Sequence, residues 1–225
     1  MSRIFVPSSG LGDWQRLLAD PEKHWARGYS ARALAHCWEN AQGFPPEICK
    51  VLAQSLALAG AEPLLILPEW KVPLPGGSKP SQNDVWVLAK SDAGLISITV
   101  EGKAQEPFGP TLGEWIDGVS PGKKQRLTWL YDVLCLSTPI PDSTRYQLLH
   151  RTVSAITEAE RFGARHAVML VHSFSEEELW LDDFSSFACL FGLAAAPDKL
   201  LSTTLRNGLP LHLAWVRGNT HFLGA

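Results

Sequence analysis

Two acidic residues and a lysine lie at the open end of a predicted strand hairpin. Asp84 begins the first strand segment, and Glu101 and Lys103 end the second. The turn between the segments lies near residues 92–94, so Asp84 and Glu101 are expected to be neighbours across the pair. Glu101 and Lys103 are two positions apart and therefore point to the same face of their strand. The spacing predicts two carboxylates and one amine in a small volume.

Hydrolysis of a phosphodiester uses this combination of side chains. Mg²⁺ and Mn²⁺ prefer oxygen ligands, and one or two carboxylates are typical of their sites. A bound metal polarises the phosphoryl group and lowers the pKa of a coordinated water, while a lysine positions that water or offsets developing charge. Without a cation, two close carboxylates repel each other and one pKa rises. The residues therefore indicate a Mg²⁺ or Mn²⁺ site.

The elements predicted around this site alternate between helices and strands. Apolar periodicity and Gly/Pro punctuation give helices, a strand meander, and then helix, strand, helix and strand. This order predicts one α/β domain with a mixed central sheet and an antiparallel meander. The predicted helices cover residues 30–42, 46–60, 110–117, 123–136, 144–162 and 179–190, and the predicted strands cover 64–67, 85–89, 95–100, 167–171 and 211–216.

Asp84 and the Glu101-Gly102-Lys103 segment on the next strand resemble the motif of the PD-(D/E)xK phosphodiesterase superfamily. That superfamily includes type II restriction endonucleases, resolvases and λ-type exonucleases, and its core is a helix, a three-stranded meander, a helix and a further strand. The resemblance implies a restriction-endonuclease-like core at about residues 29–172, with helical N-terminal additions and a helix–strand extension at 173–225. The sequence departs from the motif at Asn83, where the pattern has proline.

The same resemblance implies a role for each matching residue. Asp84 and Glu101 would bind the metal, and Lys103 would assist the attacking water. Many members carry a further acid on the first core helix, for which Glu39 is the candidate metal ligand. Some carry a glutamine on the helix after the meander, for which Gln147 is the candidate catalytic residue. Segments 81–84, 100–103 and 106–109 also resemble the signature of a narrower bacterial family of uncharacterised proteins, which implies no activity.

Each of these residues also has a structural interpretation that the sequence leaves open. Asp84 could be a residue that begins a strand, and Glu101 and Lys103 could form a surface ion pair. Glu39 could be an exposed member of its helix. Gln147 could complete a capping box with Thr144. His150 and Arg151 are expected on a solvated helix face.

Charge does not single out a nucleic-acid-binding protein. The formal net charge is −3, whereas tight binding along a duplex usually requires excess lysine and arginine. Lys123, Lys124 and Arg126 form the one dense basic cluster, which could contact phosphate or simply begin a helix. The leading hypothesis is a Mg²⁺-dependent phosphodiesterase acting on DNA. The alternative is a non-catalytic binding or regulatory protein that keeps the nuclease scaffold, and the acidic balance favours it.

Cysteine usage and hydropathy predict a cytoplasmic protein. The four cysteines contain no C-x-x-C pair and are interpreted as reduced packing residues. Residues 1–7 lack the long apolar segment of a signal peptide, and no apolar stretch is long enough for a membrane helix. The sequence leaves the oligomeric state open, and a homodimer is compatible with it.

Overall fold

A six-stranded mixed sheet lies at the centre of the structure. This computed structural model describes residues 10–118, 120–137 and 139–225, so the segment 1–7 considered above lies outside the described residues. The strands are β1 (Glu62–Val72), β2 (Ser81–Ser91), β3 (Gly94–Lys103), β4 (His166–Ser173), β5 (Leu201–Thr204) and β6 (Pro210–Arg217). Their order across the sheet is β1–β2–β3–β4–β6–β5.

Helices flank this sheet, and all of those in the described residues are too short or too polar to cross a membrane. They are α1 (Leu11–Leu17), α2 (Pro21–His24), α3 (Ser30–Ala41), α4 (Pro46–Leu52), α5 (Leu112–Ile116), α6 (Pro121–Leu134), α7 (Tyr146–Phe162) and α8 (Leu181–Cys189). A short 3-10 helix, Thr220–Gly224, follows the last strand.

The sheet separates two hydrophobic cores. In β4, Ala167, Met169 and Val171 pack into one core, and the alternating residues Val168 and Leu170 pack into the other. Both sets are fully buried because successive side chains of a strand point to opposite faces. The apolar sequence of β4 therefore follows from its position inside a sheet that is covered on both sides.

The predicted α/β class with a mixed sheet is confirmed. The meander β1–β2–β3 is antiparallel, and β4 pairs in parallel with β3. A parallel pair requires a crossover connection, which α7 supplies by packing against β3 and β4. The order of α3, the meander, α7 and β4 agrees with the core expected from the resemblance, although the restriction-endonuclease-like identity of that core remains a prediction.

Several elements differ from their predicted bounds. Helices α1 and α2 and strand β5 were not predicted, because each is short and carries little periodicity. Helix α4 ends at Leu52 and not near residue 60, and turns follow it. In α2, the side chain of Asp20 accepts a hydrogen bond from the backbone N–H of Lys23 at 3.2 Å, and Pro21 occupies the first turn. Local capping therefore holds a helix that is too short for a sequence pattern to predict.

Two of the three residues of the basic cluster at the start of α6, Arg126 and Lys123, are engaged within the protein. The guanidinium of Arg126 is buried and donates to three carbonyl groups of the loop 74–77, at 2.9 to 3.3 Å. The ammonium of Lys123 donates to the carbonyl of Trp115 in α5 at 2.8 Å and to that of Asp117, just after α5, at 3.0 Å. Arg126 therefore connects the loop 74–77 to α6, and Lys123 connects the end of α5 to it, so the structure does not present these two side chains as a free phosphate-binding surface.

Replacing Gly76 by alanine should strongly destabilise the fold at this loop. Gly76 has a φ of +76°, and an added Cβ would collide with the backbone of Arg126 and Gly122. We expect Gly76→Ala to lower the free energy of unfolding by more than about 2 kcal/mol in a urea titration. Gly192→Ala is the matched control, because Gly192 has a similar φ of +71° and open space around it.

In Gly192→Ala the free energy of unfolding should fall only by the cost of a positive φ for alanine, about 1–2 kcal/mol. Equal losses in the two variants would show that the contact between the loop 74–77 and α6 contributes nothing.

Candidate active site

The hairpin of β2 and β3 brings Asp84 to the end of β3. Val85 pairs with Val100, so Asp84 faces Glu101 across the two strands. The carboxylate oxygen Oδ2 of Asp84 accepts a hydrogen bond from the backbone N–H of Gly102 at 2.8 Å. The glycine allows α3 to pack closely on the end of β3, since a Cβ at that position would lie 3.3 Å from side-chain atoms of Leu34 and Ser30.

Glu101 is the centre of a buried ionic network. Its oxygen Oε1 accepts hydrogen bonds from the ammonium of Lys103 and from the amide of Gln147, each at 2.6 Å. Its oxygen Oε2 accepts from the guanidinium Nε of Arg151, also at 2.6 Å. Glu101, Lys103 and Arg151 are only 2%, 3% and 7% exposed. The expectation of a solvated face for Arg151 was therefore wrong, because this side chain is required to neutralise a buried carboxylate.

Gln147 belongs to the site and does not cap its helix. Helix α7 has Arg145 at its N-cap position, with no side-chain capping bond. The side chain of Gln147 instead bridges the carboxylate of Glu101 and the backbone N–H of Gly109, which donates to its Oε1 at 3.1 Å. The capping-box interpretation with Thr144 is thus wrong, and Gln147 connects the end of β3 to the loop that follows it.

A third carboxylate, Glu69, was missed by sequence reasoning. It lies in β1 between residues that pair with Val85 and Asn83, and so faces Asp84 from the neighbouring strand. Its φ is +52°, and its Oε2 accepts a hydrogen bond from the Nε2 of Gln82 at 2.7 Å. The predicted first strand ended at residue 67, before a proline. The only available signal was a lone acid just beyond the strand, which is common in proteins without a site.

The structure does not bring Glu39 to this site. Glu39 accepts a hydrogen bond from the indole of Trp14 at 2.6 Å and lines a separate cavity of about 270 Å³. The start of α3 does adjoin the site, because the backbone N–H of Ser30 donates to Glu106 at 3.1 Å. Glu39 is nine residues further along this helix, a rise of about 13 Å. The assignment of Glu39 as a metal ligand here is therefore corrected, and Glu69 takes the place of the third acid.

The pKa values of the three acids separate according to the cations around them. Burial alone would raise the pKa of Glu101, but the charges of Lys103 and Arg151 outweigh it and lower that pKa. Burial and the charge of Glu101 raise the pKa of Asp84 to about 7. Burial and the charge of Asp84 raise the pKa of Glu69 to about 8. Two carboxylates thus lie side by side without enough positive charge.

An open cleft of about 520 Å³ lies in front of these carboxylates. We call the part of its lining that comes from the three meander strands and the start of α7 the floor, and the part that comes from the segment between α1 and α3 and from the loop after β3 the wall. The charged and aromatic residues that line it are Lys23, His24, Tyr29, Glu69, Asp84, Glu101, Lys103, Glu106 and Arg151.

The donor set of the cleft fits a hard divalent cation. When ionised, Glu69, Asp84 and Glu101 carry three negative charges, and Lys103 and Arg151 contribute two positive charges that both pair with Glu101. A divalent ion near Asp84 and Glu69 would supply the missing positive charge, and carboxylate oxygens are the ligands that Mg²⁺ and Mn²⁺ prefer.

A second group of metal-ligand types lies elsewhere in the described residues. Ligand atoms of Cys37, Glu47 and His172 are all within 4.8 Å of one another, between α3, α4 and β4. The indole N–H of Trp38 donates to Nδ1 of His172 at 3.4 Å, so Nε2 carries the proton and donates to Glu47 at 3.0 Å. Burial and the charge of Glu47 raise the pKa of the Cys37 thiol. The group therefore forms a hydrogen-bonded chain between elements.

Comparison with known families assigns the chain as a whole. One family model matches residues 7–220, which is nearly the full length. The chain belongs to the family described as Domain of unknown function (DUF6946). No curated protein and no solved structure matches the chain. The chemistry of this DUF6946 protein must therefore be inferred from its own cleft.

Metal affinity should rise with pH, because the acids must lose their protons to bind a cation. The pKa of Asp84 is raised to about 7 and that of Glu69 to about 8. We therefore expect the dissociation constant for Mg²⁺ or Mn²⁺ to fall as the pH rises from 6 to 9. Isothermal titration calorimetry measures this dependence. Glu69→Gln should weaken binding and remove most of the change above pH 7, whereas Glu62→Gln, exposed on the same strand, should change neither. Binding independent of pH would contradict the assignment.

The same two acids should make metal-free stability depend on pH. A carboxyl whose pKa is raised on folding binds more protons in the native state, so stability falls as the pH rises through the window between the ordinary pKa of a glutamate, 4.5, and the raised pKa of Glu69, about 8. Glu69→Gln should flatten the fall of the melting temperature across this window. A melting curve that shifts with pH as strongly in the variant as in the parent would argue against the charge repulsion.

Removing the guanidinium of Arg151 should destabilise the fold even without metal. Arg151→Met leaves the buried Glu101 with one cation, and the loss of a partner from a buried ion pair costs about 3–5 kcal/mol. Urea unfolding at neutral pH measures this loss. Arg206→Met is the control, because Arg206 is exposed in the loop between β5 and β6. A loss below about 1 kcal/mol would mean that water solvates Glu101 and that the network is not closed.

Proposed function

We propose that this DUF6946 protein is a divalent-metal-dependent phosphodiesterase that acts on DNA. The observation that carries the proposal is a pair of carboxylates, Asp84 and Glu69, that lack enough positive charge and face an open cleft beside Glu101 and Lys103. This is the arrangement of acids and lysine that metal-assisted hydrolysis of a phosphodiester requires. The resemblance of the hairpin motif to PD-(D/E)xK enzymes supports the same reaction class.

Each residue then has a distinct task. Asp84, Glu69 and Glu101 would hold a Mg²⁺ or Mn²⁺ ion. Such an ion supplies electrophilic activation of the phosphoryl group and a water of lowered pKa. Lys103 orients the attacking water and offsets negative charge that develops on the phosphate oxygens.

Gln147 and Arg151 support this chemistry from α7. They hold Glu101 in place through hydrogen bonds of 2.6 Å, which fixes the carboxylate relative to the helix as well as to its own strand. Asp84 is fixed in the same way by the backbone N–H of Gly102. Positioning of this kind reduces the reorganisation required when a phosphodiester reacts.

A non-catalytic binding protein is the second candidate, and one observation favours it. Both oxygens of Glu101 already accept hydrogen bonds from Lys103, Gln147 and Arg151, so a metal would have to share or displace these donors. The net charge of −3 adds to this case, because phosphate contacts usually require a basic surface.

We also propose that the protein works in the cytoplasm. Its four cysteines, Cys37, Cys49, Cys135 and Cys189, are free thiols in the structure. Free cysteines are typical of a reducing compartment.

The decisive experiment is a cleavage assay with Mg²⁺ or Mn²⁺ on plasmid, linear duplex and single-stranded DNA. We expect cleavage by the parent protein, and a decrease of about 100-fold or more for Asp84→Asn, Glu101→Gln and Lys103→Met. Glu39→Gln is the matched control and should keep the parental rate, because Glu39 lies in another cavity. Absence of cleavage on every substrate, with no metal-dependent rise in melting temperature, would favour the non-catalytic candidate.

A further inference from the structure

One wall of the cleft is a segment that the catalytic residues do not need for their own positioning. Residues 18–31 run from the end of α1 to the start of α3, and Lys23, His24 and Tyr29 of this segment line the cleft together with the carboxylates. The amide of Gln82 donates both to Glu69 and to the carbonyl of Leu17, which places this wall over the floor. At the other end, the backbone N–H of Ser30 donates to Glu106 at 3.1 Å. The wall is thus tied to the site on both sides.

The size of the open cleft limits what can reach the acids. Sites that bury a small molecule have volumes of about 300–1,000 Å³, and the cleft, at about 520 Å³, lies within this range. A volume of this size accommodates one or two nucleotides of a single strand. A duplex presents its scissile phosphate on a wide, stiff cylinder, which a cleft of this volume, with residues of the segment 18–31 in its lining, cannot enclose.

The wall carries the groups that a single strand requires. Tyr29 lines the cleft and is 42% exposed, so its ring is available to a base. Stacking on aromatic side chains is the main sequence-independent contact in single-strand binding. Lys23 and His24 of α2 line the same cleft and offer N–H donors to phosphate.

Charge points to the same conclusion. A duplex-binding surface needs a row of cations along the backbone, whereas Arg126 and Lys123 are engaged with carbonyl groups of the protein. The cleft therefore offers few phosphate contacts and one exposed aromatic ring. This combination suits a short stretch of flexible strand whose bases are unpaired.

We propose that the cleft binds single-stranded DNA, with a base stacked on Tyr29 and a phosphate contacting Lys23, and that the wall at residues 18–31 excludes duplex. This inference rests on the proposed function for the reaction at the carboxylates. It goes further in naming the form of the substrate and two residues of the wall that select it.

Binding without turnover tests the inference separately from catalysis. Fluorescence anisotropy in Ca²⁺ would compare a short labelled single strand with a hairpin duplex of the same sequence. We expect the single strand to bind at least about tenfold more tightly, and Tyr29→Ala to weaken it by about tenfold. Tyr29→Phe keeps the ring and should retain the parental affinity. The melting temperature of each variant shows whether it is folded.

Salt dependence tests the phosphate contact. Lys23→Gln should reduce the slope of log K against log salt concentration by about 0.7, the value for one phosphate of a single strand. Lys50→Gln is the matched control, because Lys50 is exposed on α4 and does not line the cleft. An unchanged slope for Lys23→Gln would remove this residue from the proposed surface.

A parallel cleavage assay in Mg²⁺ separates the two proposals. Cleavage of covalently closed duplex as fast as of single strand would overturn the inference and leave the phosphodiesterase proposal standing. Single-strand binding that depends on Tyr29, without cleavage, would support the inference and overturn the enzymatic proposal. Equal affinity for both DNA forms, no binding of either, or unchanged binding by folded Tyr29→Ala, would each overturn the inference.

Discussion

The buried carboxylate of Glu101 is the constraint on which the site depends. A charge that is 2% exposed must be paired, and Lys103 on the same strand and Arg151 on α7 supply the partners. This requirement fixes α7 on the face of the sheet that carries the site. Both cations pair with this one acid, so that the negative charges of Asp84 and Glu69 have no cation of their own to balance them. The ion-pair network around Glu101 is therefore the reason for the shortage of positive charge beside Asp84 and Glu69.

The shortage of positive charge at Asp84 and Glu69 lowers the stability of the fold and at the same time favours the binding of a cation. Like charges at close range are unfavourable without a bound cation, and arrangements of this kind are found mainly at functional sites. The acidic balance of the whole chain is compatible with this view, because the positive charge needed for a phosphate substrate would come from a bound ion and not from a broad basic surface. In the proposed single-strand binding, the wall at residues 18–31 would add a selection by shape that long-range electrostatics could not provide.

Local rules predicted the part of the site that depends on local geometry. A strand period of two placed Glu101 and Lys103 together, and the position of the turn placed Asp84 beside them. The class of the fold followed from the order of periodic segments. The place of Glu69 in the site could not be predicted in this way. It depends on a positive φ at Glu69, and on strand β1 continuing beyond the apolar segment 64–67 that the sequence shows. Glu39 failed for a related reason, since a motif gives the element but not the distance along it.

The parallel pairing of β3 with β4 has a consequence for synthesis of the chain. Arg151 follows Glu101 by 50 residues, and β4 emerges later still. At translation rates of about 5–20 residues per second, Glu101 waits roughly 3 to 10 seconds on the ribosome for its guanidinium partner. During that interval the acids are present without the helix that orders them. No partly made chain can present a finished cleft, because Gln147 and Arg151 of its lining arrive only with the crossover helix α7.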